Sequence, residues 1–491
     1  MTSTPVAPSG SRSRWLALIV LCVGMLMIVL DATIVNVALP SIQRDLGFSQ
    51  SGLAWVVNAY LIPFGGLLLL AGRLGDLIGR KRIFVAGLVV FTAASLLCGA
   101  SGSQGMLIVA RLIQGVGGAM TSTVILGVIV TMFPERREQA RAIGVFSFTA
   151  AAGGSIGLLA GGVLTQAVNW HWIFFVNLPI GIVAVVLALR LIESDPGIGL
   201  SQGADVAGAI LVTSALMLGV YTIVEATNYG WDSAHTLGLG AVAALLLAAF
   251  FIRQATAANP LLPLDLFRSR NVSGANLIQV LMVAGMFGMF FLGALYLQRI
   301  LGYDPMQIGL AFLPVAVAIG ALSFRLSAQL NTRFGARTML LIGLTLVTAG
   351  LALFARAPLE ARYAYDVLPS MVLLGVGGGL SFPAVMTLGM SGATASDSGL
   401  VSGLINTTAQ MGGSLGLAVL ATLASSRTNQ LLAAGEGTTS ALIAGYHLAF
   451  GIGAGFLAAA ILVAAIVLRS EVAAGSETAD AGEREASEEA A

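Results

Sequence analysis
The segment GMLMIVLDATIVNVALP (residues 24–40) holds one ionisable side chain, Asp31, with seven apolar or small residues directly before it and Arg44 as the next charge in the chain. A charge at the centre of a bilayer costs about 2.5–3.5 kcal/mol on insertion scales. Buried charges persist when they are paired. A carboxylate sheds its proton beside a guanidinium and takes one up when desolvated, so the chemistry on offer is proton carriage. The guanidinium comes from a second apolar segment, RLIQGVGGAM (residues 111–120), which contains Arg111 and Gln114. Asp31 is read as the proton carrier and Arg111 as its counter-charge. The structural alternatives are a helix-end cap or a static ion pair for Asp31, and a side chain stretched to the outer interface for Arg111.

A different chemistry is written in GRLGDLIGRKR (residues 72–82). Gly72 and Gly79 allow a tight turn between two helices. Asp76 stands among Arg73, Arg80, Lys81 and Arg82, where it can bridge neighbouring helix ends; a purely positive anchor would not need the glycines and the acid. This turn is read as a gate at the cytoplasmic face. Met282, Met286 and Met289 share one helical face and, with Gln114, are candidate substrate contacts, against packing or lipid contact for the methionines. GGSIG (153–157) and GGSLG (412–416) match a hydrolase pattern, which raises an intramembrane serine hydrolase using Ser155 or Ser414 with His447. Both lie inside apolar runs, so close helix packing by Gly153, Gly157, Gly161 and Gly162 is the simpler reading. Cys22 and Cys98 show no metal-ligand or redox spacing. No phosphate loop of the type G-x-x-x-x-G-K-[ST] occurs. No metal, cofactor, nucleotide or nucleic-acid partner is expected.

The elements that must position these groups follow from composition. Hydrophobic residues make up 57% of 491 and charged residues 10%, against about 25% charged in soluble domains. Apolar runs of membrane-spanning length recur along the chain. They lie at 15–40, 52–71, 83–101, 106–133, 141–167, 172–191, 205–225, 235–254, 272–298, 307–325, 338–355, 366–390, 397–424 and 441–468. The expectation is an all-α polytopic membrane protein of fourteen transmembrane helices. With the N-terminus in the cytoplasm, 18 of the 24 basic residues fall in inside segments and 5 outside, Arg111 being the remainder. That asymmetry places both termini inside. At 1.5 Å per residue, Asp31 lies about 22 Å above the inner start of its helix and Arg111 about 9 Å below the outer start of its own. In a hydrocarbon core about 30 Å thick, the two share a depth.

The chain also repeats. TAAAGGSIGL (149–158) returns as TAQMGGSLGL (408–417), QSGLA (50–54) as QIGLA (307–311), and GRLGDLIGRK (72–81) more weakly as AQLNTRFGAR (328–337). The offsets are nearly equal and span eight helices, so the halves have the same orientation. The expected organisation is a cytoplasmic tail (1–14), a six-helix bundle (15–192), a two-helix insertion with its loops (193–265), a second six-helix bundle (266–469) and an acidic, disordered tail (470–491). Parallel halves of this kind place a substrate site at their interface near the midplane.

The pattern G-x-L-x-D-x-x-G-R-K-R in residues 72–82 resembles the loop signature of the major facilitator superfamily. LDATIVNVALP (30–40) resembles the first-helix signature of its fourteen-helix drug:proton antiporters of the EmrB/QacA type, and Arg111, Gln114 and Gly115 occupy the characteristic positions of its fourth-helix motif. WHWIFFVNLPIG (170–181) and YLQRILGYDPMQIGLAFLP (296–314) are similar to further segments of that family. The fifth-helix motif departs: GLLAGG (157–162) has Leu158 where the family has proline. Leu77, His171 and Gln410 also stand where basic residues are usual.

The resemblance implies the major facilitator fold in a 6 + 2 + 6 arrangement. It also implies proton-coupled export of small hydrophobic or amphipathic drugs or antibiotics by alternating access, in a monomer in the cell membrane. Arginine replaces lysine everywhere except Lys81, a feature of GC-rich bacterial genomes. The rival readings are a metabolite exporter or uniporter of the same fold, motivated by Leu158, the serine hydrolase, and a non-transporting membrane sensor or scaffold.

Overall fold
Inside hydrocarbon every backbone N–H and C=O must find a partner in its own segment, which leaves helices as the way for these runs to cross. In the computed structural model, residues 11–199, 203–391 and 398–468 are described, and every regular element among them is helical. The acidic tail and residues 1–10 of the N-terminal tail lie outside the described residues. Eleven of the described helices are long and apolar enough to span a membrane, and two shorter apolar stretches, Ile156–Ala167 and Pro305–Ala321, accompany them.

The first group comprises α1 (Ser11–Leu46), α2 (Ala54–Ile78), α3 (Arg80–Gly99), α4 (Gln104–Met132), α5 (Arg136–Ala167), the short α6 (Trp172–Phe175) and α7 (Asn177–Leu191). Next come α8 (Val206–Tyr229) and α9 (Ala234–Thr256). The last group is α10 (Arg270–Arg299), α11 (Pro305–Ala321), α12 (Ser327–Phe334), α13 (Ala336–Phe354), α14 (Leu368–Ser391), α15 (Ser398–Ala433) and α16 (Thr438–Ile466). The helix α1 runs through Pro40 to Leu46, six residues past the apolar run that predicts it. The run 172–191 is broken at Val176 into α6 and α7.

Packing repeats between the two groups. Helix α1 packs on α5 as α10 packs on α15, α3 on α4 as α13 on α14, and α1 on α7 as α10 on α16. The repeated glycine motif makes the first of these contacts close. Gly153 faces Leu26 and Val29 of α1, Gly157 faces Thr33 and the Leu30 carbonyl, and Gly161 faces Ile34. In the second group Gly412 lies on the backbone of Val280 and Gly416 on that of Ala284. A spacing of four keeps these glycines on one face. The neighbouring Gly162 meets Pro305 and Met306 at the start of α11, so the same motif also joins the two groups. Gly157→Val should therefore wedge α5 from α1 and cost about 1–3 kcal/mol by overpacking. Gly154→Ala, whose added carbon has open space around it, should be near neutral. Thermal unfolding in detergent compares the two.

The α8–α9 hairpin is tied at its open end. Asp205 caps α8 by accepting from Gly208 N–H at 2.9 Å, and also accepts from Arg253 Nε at 2.5 Å and Gln254 Nε2 at 2.8 Å. Gln254 Oε1 in turn accepts from Leu262 N–H at 2.9 Å. Burial pushes the Asp205 carboxyl up, but these hydrogen bonds and the Arg253 charge outweigh it and hold it below the ordinary carboxylate value. A depressed value means the stabilisation is complete above the unfolded pKa, about 3.9, and is lost as pH falls through the lower folded one. The protection factors of the Gly208 and Leu262 amides, corrected for the intrinsic exchange rate, should fall in acid, and Asp205→Ala should show that loss of protection at neutral pH.

Candidate functional site
Ser103 starts α4 by accepting from Met106 N–H, and Arg111 and Gln114, three residues apart, share one face of that helix. That face meets Asp31 of α1. Arg111 Nη1 lies 2.5 Å from Asp31 Oδ2 and donates to Gln114 Oε1 at 2.7 Å, while Arg111 Nε donates to the Val56 carbonyl of α2 at 2.9 Å. Gln114 Nε2 donates to Asp31 Oδ1 at 2.8 Å and to Ser95 Oγ of α3 at 2.9 Å. Both carboxylate oxygens are thus engaged. The guanidinium carbon stands 4.4 Å from the Tyr60 ring centroid and 5.7 Å from that of Phe174.

Asp31 is 0% exposed, Arg111 1% and Gln114 0%. In so dry a place a lone charge is prohibitive, and the pair survives because each member answers the other's charge and Gln114 and the Val56 carbonyl take further hydrogen bonds. The glycines after Arg111 serve the same site: Gly115 and Gly118 let the backbone and ring of Tyr60 come close. The equivalent glycine run of α14 (Gly375, Gly377, Gly378) follows Met371 instead of an arginine, and Met371 is buried. The charged cluster belongs to one half of the fold.

The sequence places Asp31 and Arg111 at one depth, and the structure puts them in contact. Gln114, expected as a substrate contact, is hydrogen-bonded to both members of the ion pair in this conformation. Met282, Met286 and Met289 are at most 3% exposed and lie in the hydrophobic core, with the Met286 methyl beside Gly378. They pack against their neighbours in this conformation. Ser95 and Tyr60 were not singled out by sequence, since a serine and a tyrosine in apolar runs carry no signal of their own.

At the turn, Arg80 pairs with Asp76 at 3.0 Å and donates to the Gly127 carbonyl of α4 at 3.0 Å. Lys81 Nζ donates to the Leu189 carbonyl at 2.9 Å and Arg82 to that of Ile78 at 3.3 Å. Gly72 packs beside Thr123 of α4. The turn thus binds α2, α3, α4 and α7 together. At the opposite end, Arg299 of α10 donates to Gln43 and Gln50 of the first group. A cavity of about 720 Å³ lies there, lined by Gln43, Arg44, Phe48, Arg299, Tyr303 and Asp304 among others. Ser414 donates to the Met411 carbonyl and His447 pairs with the Ala357 carbonyl, so each has a backbone partner of its own. The side chain of Ser155 lies outside the described residues.

Residues 21–417 match the Major Facilitator Superfamily. The chain is 36% identical to the puromycin resistance protein pur8 of Streptomyces alboniger over 474 residues, 95% of this chain and 94% of that one. It is 35% identical to the cephamycin export protein CmcT of Amycolatopsis lactamdurans, covering 92% and 93%, and 34% identical to the tetracenomycin C resistance and export protein of Streptomyces glaucescens, covering 86% and 78%. Among solved structures, the POT family transporter PepTSo superposes with a TM-score of 0.68 at 15% identity, covering 94% of this chain and 98% of that one. A bacterial homologue of the lysosomal transporter Spinster gives 0.64 at 16% identity, covering 94% and 98%. The chain is a multi-pass membrane protein with the fold of these transporters, and it belongs to the major facilitator superfamily.

Proposed function
We propose that this chain exports amphipathic drugs or antibiotics across the bacterial cell membrane in exchange for protons. It works as a fourteen-helix antiporter of the EmrB/QacA type, a monomer with both termini in the cytoplasm and a 6 + 2 + 6 arrangement in which α8 and α9 are the insertion. The observation that carries the reading is the buried Asp31–Arg111–Gln114 cluster. One protonation event there changes the charge balance of a fully enclosed site, and so changes which conformation is cheaper. The relatives named for puromycin resistance, cephamycin export and tetracenomycin C export support the substrate class. On this assignment the turn at Asp76 gates the cytoplasmic face. At the opposite face Arg299 and the α5–α11 contact join the two groups.

Leu158 favours a second reading. It is buried, and its carbonyl rests on Gly309 of α11. A uniporter of the same fold would use that contact as a hinge and carry no proton. The test is transport in reconstituted vesicles with an imposed pH gradient and a panel that includes puromycin, a cephamycin and tetracenomycin C. Antiport requires that drug addition move protons and that a protonophore stop uphill accumulation. Drug movement without proton movement selects the uniporter. A serine-directed inhibitor that blocks function, together with its loss in Ser414→Ala, would select the hydrolase.

A further inference from the structure
The turn between α2 and α3 is braced from a distant part of the chain. Gly79 sits at the start of α3 with φ 106° and, being glycine, offers no side chain to cap it. The first amides of α3 nevertheless have acceptors. Asp195, which follows α7, takes the Arg80 N–H on Oδ2 at 2.9 Å and the Lys81 N–H on Oδ1 at 3.3 Å. A carboxylate in that position satisfies orphan donors and opposes the helix dipole. The contact continues along the chain. Ile198 N–H donates to the Asp76 carbonyl at 2.9 Å and Gly199 N–H to that of Leu77 at 3.0 Å. On the other side of the turn, Arg73 Nε donates to the Gly203 carbonyl at 3.3 Å. Gly79 and Gly197 permit this approach, because a side-chain carbon on either would strike the facing backbone.

The segment that makes these bonds leads directly into α8. That helix packs on α2 from the first group and on α15 from the second, with Thr213 seated at Gly66. A change in how α2 and α15 sit together is therefore felt by α8. Its leading segment is in turn bonded to both sides of the turn that carries Asp76 and Arg80.

We propose that Asp195 is a positioning residue of the gate, and that residues 195–199 with Gly203 couple the α8–α9 hairpin to it. The hairpin then takes part in gating rather than filling space beside the bundles. The inference rests on reading the turn at 72–82 as a gate. Asp195 touches no substrate; it sets the start of α3, and with it the place of Arg80 against Asp76.

The test uses the full-length chain in lipid vesicles, with Asp195→Ala and Asp195→Asn. Two readouts are taken: uphill drug transport, and the distance between spin labels at Thr131 and Phe334, exposed residues at the ends of α4 and α12. Loss of the cap should lower transport about tenfold in Asp195→Ala and add a long-distance population. Asp195→Asn keeps one acceptor oxygen and should fall between the two. A lower melting temperature with unchanged label distances would mean a merely structural cap and would overturn the proposal. So would wild-type transport and distances in Asp195→Ala. Should the alanine variant not reach the membrane, the asparagine variant decides on the same two readouts. Failure of the transport reading shows separately, as wild-type protein that moves no drug, while the label distances still report the brace.

Discussion

Asp31→Asn should reach the membrane, and its uphill drug accumulation should fall to background. Asparagine has the shape of the protonated acid and can still take the hydrogen bond from Arg111 Nη1 that Asp31 Oδ2 takes at 2.5 Å. It cannot gain or lose a proton, so it holds the site permanently in one charge state. On the proposed antiport reading, a cycle that depends on alternating between two charge states should stop, while drug binding and downhill leakage should continue. Asp31→Glu keeps the acid on a longer arm and should retain part of the activity with an altered pH profile. The measurement is drug movement and internal pH in the same vesicles under an imposed gradient. An asparagine variant that still concentrates drug and still moves protons would make the Asp31–Arg111 pair a static strut and place carriage elsewhere.

Arg111→Met should be the most destabilising single change in the first bundle. It removes the counter-charge and the donor to the Val56 carbonyl at once, leaving Asp31 with the Gln114 amide as its remaining polar partner in the cluster. Breaking one side of a buried pair costs about 3–5 kcal/mol, whereas replacing both sides by neutral groups is far cheaper. The double variant Asp31→Asn/Arg111→Met should therefore recover much of the melting temperature lost in the single one, without recovering transport. Met371 supplies a natural precedent, since an apolar side chain stands at the matching place in α14. Additive losses in the double variant would show that the two side chains are not energetically coupled.

The ion pair was legible because it needs little: a charge in each of two apolar runs and a fixed rise per residue give the depth of both. The helical fold was legible for the same reason, since run length and composition speak directly of a bilayer. Gln114 was within reach, as three residues past Arg111 is the same helical face, but its place between the two charges required knowing how α1, α3 and α4 cross. The methionine face of α10 looked available because periodicity shows that a face exists, not which neighbour covers it. Asp195 left no trace in the sequence. It lies in an irregular segment without periodicity and meets Arg80 and Lys81 across more than a hundred residues, a contact that only the folded chain creates.

Asp31 and Arg111 are shut away from solvent on every side in this conformation. For a carrier of protons that seclusion has a bearing on the cell as a whole. A carboxylate open to water on both faces at once would short-circuit the membrane, draining the proton gradient whether or not cargo was present. On the proposed antiport reading, a carboxylate sealed between visits to either surface conducts only in step with the turning of the two bundles. An idle copy of such an antiporter is then electrically silent, and a cell can hold many of them ready against a toxin it has not yet met.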